Sequence, residues 1–157
     1  MITLALDQSS LLTGWAIFDG TKLKESGVFE LKKSLDEATR LVKIREWLIS
    51  LLNKYQPELI ALEDLSSNVN FITTRTLGHV QGVIIETCKE LGYKYQIVPV
   101  TSWRPHCGVK GKVRADLKKS MQNIVKQKFN MDVTDDEADA IGIGMYATST
   151  NVIVNWE

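Results

Sequence analysis

Two short apolar runs, each ending at a carboxylate, constrain the fold of this 157-residue chain most strongly. The run Ile2–Asp7 ends at Asp7, the run Leu59–Glu63 ends at Glu63, and polar residues follow each of them. Short continuous apolar runs bounded by turn signals are typical of buried strands. A single acid at a strand end is explained by capping of a turn, but two such acids strain that explanation. Because α/β sheets bind ligands outside the carboxyl ends of their strands, we expect Asp7 and Glu63 to lie at a functional site.

A third acidic segment begins the last predicted helix. Thr134 and Glu137 fit a capping box, and the helix dipole favours acids in a first turn, so Asp135 and Glu137 need no chemical role. Asp136 and Asp139 lie three residues apart on one helical face, beside alanines that let a helix sit close to a sheet. Asp136 and Asp139 are therefore candidate site residues, with Asp135 as the alternative to Asp136.

Asp7, Glu63, Asp136 and Asp139 together supply three or four carboxylate ligands. Carboxylate oxygens are the donors that Mg²⁺ and Mn²⁺ prefer. Without a cation, such carboxylates would repel one another and raise each other's pKa values. The sequence therefore predicts a magnesium-dependent nuclease site.

The basic residues are concentrated in one segment, although the net charge of the chain is zero. Residues 103–128 have a local charge of +7, and their basic members are Arg104, Lys110, Lys112, Arg114, Lys118, Lys119, Lys126 and Lys128. A basic segment near an acidic metal centre is typical of a protein that binds phosphates and hydrolyses one. For Lys126 and Lys128 an ordinary solvated helix face is the better explanation. We interpret residues 103–112 as a phosphate-binding loop in which Trp103 stacks or, as we favour, packs.

The periodicity predicts a mixed sheet flanked by helices, with an early antiparallel meander and later parallel additions. The predicted strands span residues 2–7, 13–18, 23–31, 59–63 and 94–98, and the predicted helices span residues 36–55, 73–91, 113–129 and 135–148. The chain has no apolar run of about 18 residues, which a membrane span would need. We expect a single cytoplasmic domain over residues 1–157.

Several of these motifs together resemble the RuvC family of Holliday-junction resolvases. The similar segments are Leu4–Ser10 followed by Thr13–Ala16, the strand ending in Glu63, and Asp136-x-x-Asp139, in matching order over nearly the whole chain. The resemblance implies an α/β, RNase H-like fold with a mixed five-stranded sheet flanked by helices. Two departures bear on substrate choice: the family's usual Pro-Gly is replaced by Gln8 and Ser9, and the segment after Glu63 is slightly longer. Divergence of this kind would suit a bacteriophage protein.

The resemblance also implies a homodimer on branched DNA. It assigns Leu77, Gly78 and Gly82 to the subunit-contact helix, Lys118 to the catalytic site and Phe71 to the junction centre. From the residues alone, the two glycines permit a close contact with either the chain's own sheet or a second subunit. Phe71 is either a wedge against unpaired bases or a hydrophobic staple before the helix.

The mechanism we expect is two-metal phosphodiester hydrolysis, with two Mg²⁺ ions, or Mn²⁺ in their place, shared through Asp7. Glu63 would hold one ion and Asp136 with Asp139 the other, while Lys118 offsets charge on the scissile phosphate. The resemblance implies paired symmetric nicks that leave a 5′-phosphate.

Three other functions remain open from sequence. A related nuclease of structured or precursor ribosomal RNA would share the same acids, and a non-catalytic junction binder would share the basic segment. A sugar kinase or actin-like ATPase resembles the opening Asp7–Ser10 pattern but needs a second lobe, for which this chain is too short.

Overall fold

A mixed five-stranded sheet forms the centre of the computed structural model, which describes residues 1–66 and 69–149. Its strands are β1 (Ile2–Asp7), β2 (Leu12–Asp19), β3 (Lys22–Glu30), β4 (Leu59–Glu63) and β5 (Tyr95–Val98), arranged in the order β3-β2-β1-β4-β5. β1, β2 and β3 form an antiparallel meander, whereas β4 pairs parallel to β1 and β5 pairs parallel to β4. This confirms the predicted mixed sheet. The rest of the predicted domain, residues 67, 68 and 150–157, lies outside the described residues.

Five helices flank the sheet in the described ranges. They are α1 (Glu37–Tyr55), α2 (Phe71–Leu91), α3 (Val100–Cys107), α4 (Arg114–Phe129) and α5 (Asp135–Ser149). α2 begins earlier than predicted because the Asn70 side chain caps it, accepting a hydrogen bond of 2.9 Å from the Thr73 N–H. Among residues 1–66 and 69–149, no helix combines the length and apolar character needed to span a bilayer.

The prediction of a loop over residues 103–112 is wrong for its first half, which lies in α3. This helix is short, and Pro105 lies inside it, so its sequence looks like a loop between two regular elements. Gly108 ends α3 in a left-handed conformation with φ of 78°. The loop is therefore confined to the residues between α3 and α4.

One face of the sheet, here called the aliphatic face, carries large side chains. Leu4, Leu6, Ile60 and Leu62 point from β1 and β4 into a buried cluster with α1 and α2. Four residues of α1 that follow a helical period complete the cluster on that side, as the sequence predicts: Ile44, Leu48, Leu51 and Leu52.

The opposite face, here called the small-residue face, carries a row of alanines. Ala16, Ala5 and Ala61 are aligned across β2, β1 and β4. α5 packs on this face, and a Cβ added at its Gly144 would lie 2.2 Å from the Phe18 ring. The lack of side-chain bulk on both surfaces therefore lets α5 lie close to the sheet.

The first turn of α5 is tied to the sheet by Glu137. Its N–H donates to the Thr134 hydroxyl at 3.4 Å, which fits half of the predicted capping box. Its carboxylate, however, accepts a hydrogen bond of 2.7 Å from Ser26 on β3. Glu137 therefore fixes the start of α5 against the antiparallel edge of the sheet.

Candidate active site

Asp7 and Glu63 lie side by side at the carboxyl ends of β1 and β4. The parallel ladder between these strands includes Leu6 opposite Leu62, and each acid is the next residue along its strand. Because side chains alternate along a strand, both acids point to the small-residue face, away from the two leucines. The first two carboxylates therefore share one end of one face.

Gly14 allows α5 to reach this end of the sheet. The tight connection between β1 and β2 is braced by Ser9 and Thr13, whose hydroxyl donates to the Ser9 carbonyl at 3.1 Å. This connection sets Gly14 directly opposite Asp7 in the antiparallel ladder. A Cβ at Gly14 would lie 1.9 Å from the Asp136 carbonyl oxygen, so only glycine fits here. α5 thus begins directly over the end of β1.

The Asp7 carboxyl has a pKa well above its usual range. Burial is the largest cause, followed by the negative charges of Glu63, Asp139 and Asp136, while Lys118 acts in the opposite direction. The four predicted acids are therefore close enough to influence one another strongly.

The Asp139 carboxyl has a pKa raised to about 7. Burial and the charge of Glu63 raise it, whereas Arg104 and Lys118 lower it. Burial and the charge of Asp135 likewise raise the pKa of Asp136. Most of the carboxylate charge at this site is thus uncompensated by the protein's own cations.

Trp103 holds the Glu63 carboxylate. Burial raises the pKa of Glu63, and the indole N–H of Trp103, which donates to Glu63 Oε1 at 2.9 Å, opposes that rise, as do Arg104 and Arg114. Trp103 is fully buried in the core of the small-residue face. The favoured packing role of Trp103 is confirmed, and its hydrogen bond to Glu63 is an additional, unpredicted contact.

Lys118 forms an ion pair with Asp135 in the first turn of α5. This contact lowers the pKa of Asp135, in contrast to the raised pKa of Asp136. The two neighbouring aspartates are therefore different: Asp135 is paired with a lysine, whereas Asp136 has a raised pKa and itself raises the pKa of Asp7.

The donor chemistry of the four carboxylates fits a divalent cation. Oxygen ligands carrying excess negative charge are what Mg²⁺ requires, and a cation would offset the repulsion that raises their pKa values. Within residues 1–66 and 69–149, however, no three His, Cys, Asp or Glu side chains are already arranged as a metal site. One oxygen of Glu63 is occupied by Trp103. The acids are therefore gathered at one end of the sheet without forming a finished metal shell.

The predicted DNA-binding residues divide into two groups. Arg104 and Lys118 are partly buried and act electrostatically on the acids, and the exposed Arg114 does so as well. The others lie on the solvent side of the loop and of α4: Lys110, Lys112 and Lys119. Lys119 lines a surface groove along α4 with Asp116 and Asn123.

Phe71 is the first residue of α2, and 78% of its surface is exposed. The Arg75 guanidinium lies 5.9 Å from the centre of its ring. The hydrophobic-staple alternative is wrong, because a staple would be covered by the helix that it precedes.

The residues proposed for subunit contact lie along α2. Leu77 and Gly78 are partly buried, and a Cβ at Gly78 would lie 3.9 Å from Leu65. Gly82 is exposed, and a Cβ there would meet no atom of the described residues within 4 Å outside the neighbouring turns of its own helix. Packing within the described part of the chain therefore does not explain the glycine at position 82.

Sequence reasoning missed three residues that shape this site: Gln8, Gly14 and Trp103. The signal for Gly14 was present, since a glycine inside a strand often marks a close backbone approach. Gln8 and Trp103 act through hydrogen bonds to Glu63 that join distant parts of the chain. No local pattern encodes such contacts.

The sheet order, the helices and the acids at the ends of β1 and β4 define an RNase H-like nuclease fold. Thermus thermophilus RuvC in complex with a Holliday junction substrate superimposes with a TM-score of 0.78 at 15% identity, covering 94% of this chain and 93% of that one. The fowlpox virus resolvase, also solved with Holliday junction DNA, gives a TM-score of 0.62 at 17% identity, covering 95% and 97%.

The family model for crossover junction endodeoxyribonuclease RuvC matches residues 3–146. A RuvC of Caldicellulosiruptor saccharolyticus is 32% identical over 153 residues, which cover 92% of this chain and 90% of that relative. A RuvC of Roseiflexus is 28% identical over 93% and 89% of the two chains. The chain belongs to the RuvC family of crossover junction endodeoxyribonucleases.

Proposed function

We propose that this protein resolves Holliday junctions by metal-dependent hydrolysis of one phosphodiester in each of two strands. The observation that carries the proposal is the convergence of Asp7, Glu63, Asp136 and Asp139 from two strands and a helix onto one end of the small-residue face. Relatives that bind Holliday junctions share this fold. The products we expect are symmetric nicks with 5′-phosphate ends.

The four carboxylates would hold Mg²⁺, or Mn²⁺ in its place, with two ions per site as the expected number. The charges of the other three acids all raise the pKa of Asp7, so Asp7 would contribute to both ions. Glu63 would hold one ion, and Asp136 with Asp139 would hold the other. A bound cation supplies a water of lowered pKa and offsets charge on the phosphate.

Asp136 is our choice over Asp135 for the third ligand. The Asp135 carboxylate is already paired with Lys118, whereas burial and the charge of Asp135 raise the pKa of Asp136, which a bound cation would offset. The same ion pair holds the Lys118 side chain near the acids, where its ammonium would offset charge that develops on the scissile phosphate.

The DNA surface would extend from the acids along the loop before α4. Arg104, Lys110, Lys112, Arg114, Lys118 and Lys119 are its basic members. Exposed Phe71 would lie against unpaired bases at the branch point, because an aromatic face stacks on any base.

Cleavage of a labelled, immobile four-way DNA junction in Mg²⁺ tests the assignment. We expect paired nicks in the junction, none in a matched linear duplex, and none with Asp7→Asn. Asp136→Asn should abolish cleavage while junction binding persists, and Asp135→Asn should retain part of it. Nicking by Asp7→Asn at the wild-type rate would refute the site. Stronger competition by structured RNA than by the DNA junction would favour the RNA alternative.

A homodimer through α2 completes the proposal, because a two-fold axis matches two symmetric cuts. Gly82→Ala tests whether the exposed surface of α2 at position 82 contacts solvent or a second subunit. In a monomer the added methyl would contact none of the residues that the structure describes outside α2, and the alanine should stabilise the helix by up to about 1 kcal/mol. In a dimer that uses this surface, it should weaken association in sedimentation experiments. A monomer at micromolar concentration, with and without junction DNA, would contradict the dimer.

We place the reaction in the cytoplasm of a bacterium or of a phage-infected host.

A further inference from the structure

Gln8 is the first residue after β1, and its side chain is almost completely buried, with 7% of its surface exposed. Both polar atoms of its amide contact the backbone of Glu63. Gln8 Nε2 donates to the Glu63 carbonyl oxygen at 2.6 Å, and the Glu63 N–H donates to Gln8 Oε1 at 3.2 Å. One side chain therefore satisfies both backbone groups of one of the four acids.

These two bonds continue the pairing of β1 and β4 beyond the ladder. The paired residues of the two strands end at Leu6 and Leu62, so Glu63 follows the last pair. A side-chain amide offers the same donor and acceptor as a backbone peptide, and here it takes the place of one. A second amide, that of Gln81 on α2, approaches the same Glu63 carbonyl at 3.5 Å.

The carboxylate of Glu63 is held by a separate contact, which does not involve Gln8. Trp103 is fully buried and donates to Glu63 Oε1 at 2.9 Å. With its backbone fixed by Gln8 and one carboxylate oxygen fixed by Trp103, Glu63 has little freedom to turn away from Asp7. Buried hydrogen bonds of this kind rigidify the side chains that they join.

We propose that Gln8 is a positioning residue, which fixes the backbone of Glu63 so that its carboxylate is presented beside Asp7 for a divalent cation. The proposal rests on the assignment of Glu63 as a metal-binding acid. Gln8 is not assigned as a ligand of the cation or of the DNA, because both polar atoms of its amide are engaged by the Glu63 backbone. Its effect passes entirely through Glu63.

A purely structural role for Gln8 makes a different prediction. If the amide only satisfied two backbone groups, its removal would lower the stability of the fold and leave metal affinity per folded molecule unchanged. Positioning predicts weaker metal binding as well, since supporting contacts around metal ligands typically contribute about 10–100-fold in affinity or activity.

The test is Gln8→Met in the full chain, because methionine keeps the unbranched length and removes both hydrogen bonds. Mn²⁺ binding is measured by calorimetry without DNA, and cleavage of an immobile junction is measured across a Mg²⁺ titration. We expect Mn²⁺ affinity to fall roughly 10-fold or more, with a matching rise in the Mg²⁺ concentration for half-maximal cleavage. Junction binding in EDTA should stay at the wild-type level.

Gln81→Met is the matched control, because it removes only the longer contact to the same carbonyl. We expect a smaller change in Mn²⁺ affinity than for Gln8→Met. Should Gln8→Met fail to fold, Gln8→Asn takes its place, since its amide is one methylene too short to make both bonds.

A double-mutant cycle with Glu63→Gln shows whether the effect passes through Glu63. On the proposal, Gln8→Met lowers Mn²⁺ affinity in the wild-type background and changes nothing further in the Glu63→Gln background. An equal loss in both backgrounds, or no loss in the wild type, overturns the proposal. If Glu63→Gln alone binds Mn²⁺ and cleaves like the wild type, the assignment of Glu63 fails instead.

Discussion

The two faces of the sheet are built from opposite kinds of side chain. The aliphatic face buries Leu4, Leu6, Ile60 and Leu62 against α1 and α2, and these four side chains contribute to a hydrophobic core. The small-residue face holds α5 close to the strands and ends in a group of carboxylates. The aliphatic face therefore contributes mainly stability. The small-residue face has small side chains that let α5 pack closely, and this brings acids from distant segments together.

The largest effect on stability should come from the aliphatic face. Leu48 is fully buried there, and Leu48→Ala should lower the free energy of unfolding by about 2–5 kcal/mol through lost burial and a residual cavity. Urea denaturation measures the loss. Junction cleavage per folded molecule should match the wild type at a temperature where both are folded. A fall in that specific activity would show that the two faces are not separable.

Gly14→Ala, on the small-residue face, should instead slow cleavage per folded molecule. The added methyl would lie 1.9 Å from the Asp136 carbonyl oxygen, so the start of α5 must move away from Asp7. Misplacement of this size should slow cleavage about 100-fold, equivalent to about 2.7 kcal/mol. Single-turnover cleavage of an immobile junction measures the change.

The control for Gly14→Ala is Gly27→Ala, because the atoms nearest to its methyl would belong to the Trp15 side chain, 3.0 Å away, and not to a backbone carbonyl. That variant should lose stability and cleave normally per folded molecule. Comparable losses of cleavage in both variants would contradict a specific role for Gly14.

Asp139→Asn should stabilise the metal-free protein. The Asp139 pKa is raised from 3.8 to about 7 in the folded state, so the wild type loses stability as pH rises through that interval and the carboxyl ionises. The asparagine avoids this loss, so the gain should be absent below pH 3.8 and complete above about 7, where it should reach up to about 4 kcal/mol.

Thermal unfolding in EDTA at several pH values measures this gain. The exposed Asp132→Asn is the control and should give none, since Asp132 forms a surface ion pair with Lys126. Mg²⁺ should stabilise the wild type more than Asp139→Asn. A gain that is independent of pH would show that the charge of Asp139 is not the cause.

The smallest effect should come from Ser26→Ala, which removes the hydrogen bond to Glu137 at the start of α5. We expect a loss of about 1 kcal/mol in the free energy of unfolding, because the freed carboxylate is partly hydrated. Chemical denaturation measures it. Glu137→Gln keeps an acceptor oxygen and should lose less. An equal loss in both variants would show that charge, not the hydrogen bond, holds this turn.

The sequence predicted most of the fold because its strongest signals are local. Apolar runs marked β1 and β4, and the helical period of α1 marked its buried residues. α3 was missed because it is short and contains Pro105. The start of α2 was predicted too late because the N-cap Asn70 lies in a polar stretch that resembles a loop.

The candidate site was predicted as a set of acids but not as a geometry. Asp7, Glu63, Asp136 and Asp139 could be chosen because strand ends and helix starts are readable from sequence. The pairing of Asp135 with Lys118 and the hold of Trp103 on Glu63 could not, since they join residues 17 and 40 positions apart. Such contacts exist only after the layers have packed.

The position of α5 has a consequence for the timing of synthesis. β1 lies in the middle of the sheet, yet its Asp7 meets carboxylates supplied by the last helix in the described part of the chain. A nascent chain that has released β1 to β5 from the ribosome holds only half of the acids. On the proposed assignment of the four acids, the site is incomplete until α5 emerges and docks, so activity would itself report that α5 has docked.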